Sequence, residues 1–416
     1  MTGIAMHGTC AARFSRVREL FQSRLDSGSE IGAAVAFVLD GESVVDLWGG
    51  HYDLERTREW ERDTLVNVYS TTKGMTAICA SQLMERGLLD VDAPVCEYWP
   101  EFAAGGKQDI PVRWLLSHKA GLCAVREPLP RDALYDWSLM CTALAEQEPW
   151  WTPGDGHGYH PFTFGFLVGE VVRRISGRSL GAFFRENVAD PLGADFHIGL
   201  ASENDARTAD MYSVLIGNKP ASQSTGGMQS SAAGPFAEFA KAVRDPTTMQ
   251  GAAFLNPPQD RDAVNSRAWR GAEIPSVNGH GTARALARIY GALARGGEID
   301  GVGILKPETI ARAAVEEAAG PERLFLGAVP MRLGLGFVLS DDTHRYARLS
   351  PNRRAFGHAG GGGSLGMADP DAKVGFGFTM NEMHAGIVSA GATPTLLIDA
   401  FYEALMARPR TPWPGR

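Results

Sequence analysis

The stretch "VYSTTKGM", Val68 to Met75, puts a serine and a lysine three residues apart where a strand-like run becomes a helix. Lysine is scarce, seven in 416 residues, so its place after Ser70 asks for a reason. Met75, Ile78, Cys79 and Leu83 then recur at helical spacing, and Gly87 can close the helix. Ser70 is expected as the N-cap or first-turn residue, with its hydroxyl at the positive end of the helix dipole. Lys73, one turn on, projects from the same face and can reach that hydroxyl. Burial and the same dipole disfavour an ammonium, so Lys73 is a candidate base and Ser70 a candidate nucleophile. The pattern S-x-x-K is common, however, and a capping serine followed by a solvated lysine reads it too.

Upstream, "GAAVAFVLDGESVVDLWGG" (32–50) reads as a β-hairpin turning at Asp40-Gly41. Phe14, Val17, Leu20, Phe21 and Leu25 stripe an amphipathic helix over 11–27. Downstream, from about residue 90, the pattern is helical and broken by Pro and Gly, with "TFGFLVGEVVRRISG" (163–177) the clearest helix. Residues 220–280, rich in Ser, Gly, Pro and Asp, read as loops over a pocket. "TARALARIYGALARGG" (282–297) resumes a helix that ends at Gly297. In "AKVGFGFTMN" (372–381) bulky residues alternate with Gly375, Gly377 and Thr379, leaving one face of a strand nearly bare. A bare face admits a helix closely, and the C-terminal segment "TPTLLIDAFYEALMA" (393–407) is the helix expected there. The fold class is therefore α/β (α+β). Residues 1–90 and 283–416 would form the sheet domain, and 91–282 a mostly helical insert with pocket-lining loops.

A chain of 416 residues, 44% apolar and 21% charged, is long for one core and ordinary in composition. Its net charge of −8 is interspersed, with no basic block, which argues against nucleic acid and anionic membranes as partners. The longest apolar run, Ile31 to Leu39, is too short to span a bilayer. The N-terminal residues lack an apolar stretch ending in a small-residue cleavage site. Cys10, Cys79, Cys96, Cys123 and Cys141 are odd in number and without C-x-x-C spacing, which suits reduced thiols in the cytoplasm.

Two further segments bear on Ser70. "PWWTPGDGHGYHPF" brings Tyr159 in after a glycine-rich approach that leaves its ring free to enter a cleft. A tyrosine beside a lysine can be held as a phenolate or share its proton, and so relay protons to a leaving group. "FGHAGGGGSLGM" sets His358-Ala359-Gly360 at the end of a strand, followed by Gly361 to Gly363. Glycines there allow close approach of backbone N–H groups to an oxyanion. The order Ser70-Thr-Thr-Lys73, Tyr159-His-Pro161, His358-Ala-Gly360 resembles the serine β-lactamase and penicillin-binding-protein superfamily. It is most similar to the esterase branch, the class C β-lactamase-like family VIII carboxylesterases. "VRWLLSHKAGL" (112–122), "DPLGADFHIGL" (190–200) and "VNGHGTARALARIYGALARGGE" (277–298) share the likeness, which runs over about residues 12–407.

The resemblance implies a mostly antiparallel sheet flanked by the N- and C-terminal helices, with the site between it and the helical part. It implies an acyl-enzyme on Ser70, activation by Lys73, and Tyr159 donating to the leaving group and later helping to activate water. Ser70 and Gly361 would supply the oxyanion N–H groups, with His358 and Gly360 beside the substrate. No cofactor or metal is implied, and the partner is a small-molecule ester. Two positions depart from the β-lactamase form. Pro161 stands where an asparagine would offer its side chain, and His358 where a lysine would meet a β-lactam carboxylate. Both weaken recognition of an anionic amide, so an esterase for neutral esters is expected over a β-lactamase or D-Ala-D-Ala peptidase. An acyltransferase would use the same residues, and a non-catalytic scaffold would have no reason to keep all three.

Overall fold

Each strand of the main sheet is short and antiparallel to its neighbours, and the sheet is assembled from the two ends of the chain. The computed structural model describes residues 3–213, 234–260, 262–343, 348–384 and 391–407. Among the described residues nine strands belong to this sheet: β1 Met6–Cys10, β2 Gly32–Leu39, β3 Glu42–Gly50, β9 Ala318–Gly320, β10 Met331–Leu333, β11 Val338–Leu339, β12 Phe356–Ala359, β13 Leu365–Asp369 and β14 Val374–Met380. They lie in the order β1-β3-β2-β14-β13-β12-β11-β10-β9. Between them in the chain, β4 Val66–Asn67, β5 Phe196–His197 and β6 His280–Gly281 form a small three-stranded sheet, and β7 Glu298–Ile299 pairs with β8 Val302–Gly303. The hairpin β2–β3 turns where expected: Asp40 and Gly41 both take positive φ, 48° and 92°, as a two-residue turn between twisted strands requires. Its register pairs Leu39 with Glu42.

The strand β14 has the two unlike faces that its sequence shows, but the helix on the bare face is not the C-terminal one. A Cβ on Gly375 would stand 2.2 Å from Gly291 N, and one on Gly377 would stand 2.1 Å from Ala283 O. The helix Ala283–Ala294 therefore lies on the glycines, backbone against backbone. The C-terminal helix Ala392–Met406 covers the bulky face instead. There Phe376 meets Phe37 (ring centroids 4.7 Å apart), and Phe37 stacks on Phe401 at 4.1 Å. Phe14, at the start of the N-terminal helix Ser15–Asp26, stacks on Phe401 at 4.3 Å. Phe401 is too large to enter the glycine trough, whereas Ala283, Ala287 and Gly291 form a small-residue stripe that fits it.

The helix after Ser70 spans Thr72–Glu85 and is buried from Thr72 to Leu83. A helix without a solvent face belongs at the centre of a fold, and this one carries the candidate lysine inside the protein. The helix Thr163–Ser176 is buried through Val172 and ends at Gly177 in the left-handed conformation, φ 69°. The expectation of loops over 220–280 needs correcting within the described residues. Helices Pro235–Ala242, Met249–Leu255 and Arg267–Gly271 lie there, the last two capped by the side chains of Thr248 and Ser266. Segments of five to eight residues are too short to show a helical period. Residues 220–233 and 261 of that stretch lie outside the described residues. Among the described residues no helix is long and apolar enough to cross a membrane.

Candidate active site

The chain reaches Ser70 from β4 and turns sharply. Tyr69 has φ 44°, a left-handed backbone that a ring-bearing residue adopts only under constraint. The helix begins at Thr72 with Thr71 as its cap, so Ser70 stands in the turn just ahead rather than at the cap or in the first turn. The backbone of Ser70 is still tied to the helix, since its carbonyl accepts from Lys73 N at 3.0 Å. Ser70 is 7% exposed and Lys73 fully buried.

Lys73 Nζ lies 3.2 Å from Ser70 Oγ, 2.7 Å from the carbonyl oxygen of Pro161 and 3.0 Å from that of Ser276. Among the described residues no carboxylate pairs with it, and burial holds its amine well below the usual lysine range. The Ser276 carbonyl is brought there by the small sheet, where Val68 N bonds Gly279 O at 2.9 Å beside the β4–β6 pairing.

Tyr159 joins the pair from the other side. Its ring lies 4.7 Å from Lys73 Nζ, measured to the centroid, and its side chain is not free but held between His118 at 4.9 Å and Phe325 at 5.8 Å. Burial pushes its phenol up, opposed by the Ser70 hydroxyl and reinforced by the Glu322 carboxyl. The phenolate form weighed from the sequence is therefore not the resting one, and Tyr159 stands as a phenol. Its hydroxyl is buried and, among the described residues, makes no hydrogen bond of normal geometry.

His358, at 6.0 Å from the Tyr159 ring, bonds the Ala359 carbonyl through Nδ1 at 2.7 Å, which fixes the proton there and leaves Nε2 as a bare acceptor. Burial presses its pKa down to about 3, so it is neutral, as expected. Gly360 and Gly361 abut the Ser70 turn. A Cβ on Gly360 would stand 2.1 Å from Val68 O and 2.2 Å from Ser364 Oγ, while Gly361 lies against the Tyr69 side chain. Ser364 Oγ donates to Val68 O at 2.7 Å and lies 3.0 Å from Thr71 Oγ1, lacing the β12–β13 hairpin to the turn. Among the described residues no hydrogen bond uses the backbone N–H of Ser70 or of Gly361. Two free amides beside a buried hydroxyl are what an oxyanion needs.

The model of the family described as Beta-lactamase matches residues 17–396. The chain belongs to the beta-lactamase family. Among curated relatives it is 35% identical over 401 residues, 93% of this chain and 87% of the other, to the esterase/beta-lactamase LipL of Mycobacterium tuberculosis. Among solved structures it is similar to a family VIII carboxylesterase at 40% identity, TM-score 0.84, covering 96% of this chain and all of that one. It is also similar to EstA from Arthrobacter nitroguajacolicus Rue61a at 31% identity, TM-score 0.80, over 95% of this chain and 98% of that one.

Within this beta-lactamase-family site, sequence reasoning missed four participants. Pro161 contributes no side-chain donor or acceptor, as expected, yet its carbonyl holds Lys73. Ser276 acts through its carbonyl and Ser364 through its hydroxyl. Glu322 accepts the backbone N–H of Tyr159 at 2.9 Å. Carbonyls leave no mark in residue type, but the serine after the glycine run could have been found by asking what holds that loop.

Proposed function

We propose that the chain is a carboxylesterase, a serine hydrolase that cleaves small neutral esters through an acyl-enzyme on Ser70. The observation that supports it best is the surroundings of Lys73 Nζ. A neutral amine has two N–H bonds and one lone pair. The carbonyls of Pro161 and Ser276 take the two N–H bonds, so the lone pair faces Ser70 Oγ. Lys73 can then accept the serine proton as Oγ attacks the ester carbonyl. The developing oxyanion meets the N–H groups of Ser70 and Gly361. As the tetrahedral adduct collapses, the bond to the alcohol oxygen breaks and that oxygen takes the proton from Lys73 by way of the Tyr159 phenol. Water repeats the sequence: its oxygen bonds the acyl carbon, its proton passes to Lys73, and Ser70 Oγ leaves with that proton.

The neutral state of His358 supports a neutral substrate, since a fixed lone pair repels a carboxylate where a lysine would attract it. The five free cysteines support a cytoplasmic location. A panel of p-nitrophenyl esters run against nitrocefin tests the substrate class. p-Nitrophenyl acetate or butyrate should exceed nitrocefin in kcat/KM by at least ~100-fold, or ~2.7 kcal/mol of transition-state stabilisation. Equal turnover of nitrocefin would replace the esterase reading by a β-lactamase.

A further inference from the structure

Glu322 is 2% exposed and belongs to no motif. Its Oε2 accepts from Tyr159 N and from Leu324 N, both at 2.9 Å, and its Oε1 accepts from Phe325 N. Among the described residues no arginine, lysine or histidine forms an ion pair with it. Neighbouring Arg323 turns away to Asp155. An unpaired buried carboxyl is costly to keep, and such groups cluster where chemistry is done. This one joins two segments 163 residues apart in sequence, and both are in contact with the phenol. One carries Tyr159 itself; the other carries Phe325, whose ring stacks on Tyr159.

We propose that Glu322 is the positioning residue of the proton relay, holding Tyr159 by its backbone amide and Phe325 against its ring. The proposal rests on the reading of Tyr159 as the relay. The groups around the phenol are Ser70, Lys73, His118, His358 and Glu322, and the carboxyl is the one acid among them. The groups facing the carboxyl are Tyr159 and the Cys123 thiol, which it pushes up along with burial. Burial in turn lifts Glu322 to about 7, while its three N–H partners pull the other way. It therefore takes up a proton below neutral pH, and one of the two oxygens that Tyr159 N, Leu324 N and Phe325 N share becomes an O–H.

Glu322→Gln keeps the shape but turns one acceptor oxygen into an N–H₂ that confronts a backbone N–H. With p-nitrophenyl butyrate it should lower kcat by about 10- to 100-fold and leave KM within about threefold, as misplacement of one catalytic group does. The basic limb of its kcat–pH profile should move to lower pH, because the phenol loses its anionic neighbour. Glu322→Asp, which keeps the charge, should leave that limb at its wild-type position even if kcat falls. In a Tyr159→Phe background the Gln substitution should cost almost nothing further. Unchanged kcat and an unmoved basic limb in Glu322→Gln would overturn the proposal. So would an equal loss with and without the phenol. If Tyr159→Phe alone kept wild-type kcat, the relay itself would be wrong and this proposal would fall with it.

Discussion

Replacing Lys73 by methionine tests whether the lysine is neutral in the folded protein, separately from whether it is catalytic. The side chain is fully buried beside two carbonyls and a hydroxyl, and burial lowers its pKa well below the ordinary value. Between the folded and the unfolded pKa, the unfolded chain binds one proton that the folded chain does not. The contribution of Lys73 to stability must then climb with pH across that window, by about 1.4 kcal/mol per pH unit for one proton. Lys73→Met lacks the group and serves as the baseline. Measured by urea unfolding, the wild-type minus variant stability should rise by about 2.5 kcal/mol from about pH 8 to about pH 10, levelling as the unfolded pKa of ~10.4 is approached. The same variant should lose about 10²- to 10⁴-fold in kcat, the range for a lost general base. A stability difference that stays flat over that pH range would mean that Lys73 is an ammonium in the fold. The lone pair facing Ser70 would then not exist, and the base would have to be sought elsewhere.

Lys73→Ala and Tyr159→Phe should each cost about two to four orders of magnitude in kcat, and the double variant far less than the sum, because both serve one proton path; additive losses would show separate paths. Gly360→Ala should lower kcat by roughly 10- to 100-fold with the fold retained by circular dichroism. Its new Cβ would fall 2.1 Å from Val68 O and 2.2 Å from Ser364 Oγ, so the loop bearing Gly361 must shift. Wild-type kcat in that variant would contradict the oxyanion assignment.

Local signals in this chain were legible because their physics is local. Asp40-Gly41 makes a hairpin turn wherever it stands between apolar runs, and S-x-x-K puts two side chains on one turn of helix. Alternating glycines in β14 announced a helix in close contact, but two helices compete for that place and the pattern of β14 does not choose between them. The choice was written in the helices: small residues at Ala283, Ala287 and Gly291 against Phe401 in the other. The Lys73 site was half legible for a different reason. Its hydroxyl partner is three residues away, whereas its carbonyl partners are 88 and 203 residues away and act through backbone that every residue possesses. Glu322 reaches Tyr159 across 163 residues by contacts that leave no spacing to detect.

Ser70 as the nucleophile is what every step above requires, and one labelling experiment meets it directly. Purified protein treated with a fluorophosphonate probe, digested and mapped by mass spectrometry, should carry the adduct on Ser70 alone, and Ser70→Ala should neither label nor hydrolyse p-nitrophenyl butyrate. An adduct on another serine or on a cysteine, with esterase activity kept in Ser70→Ala, would contradict it.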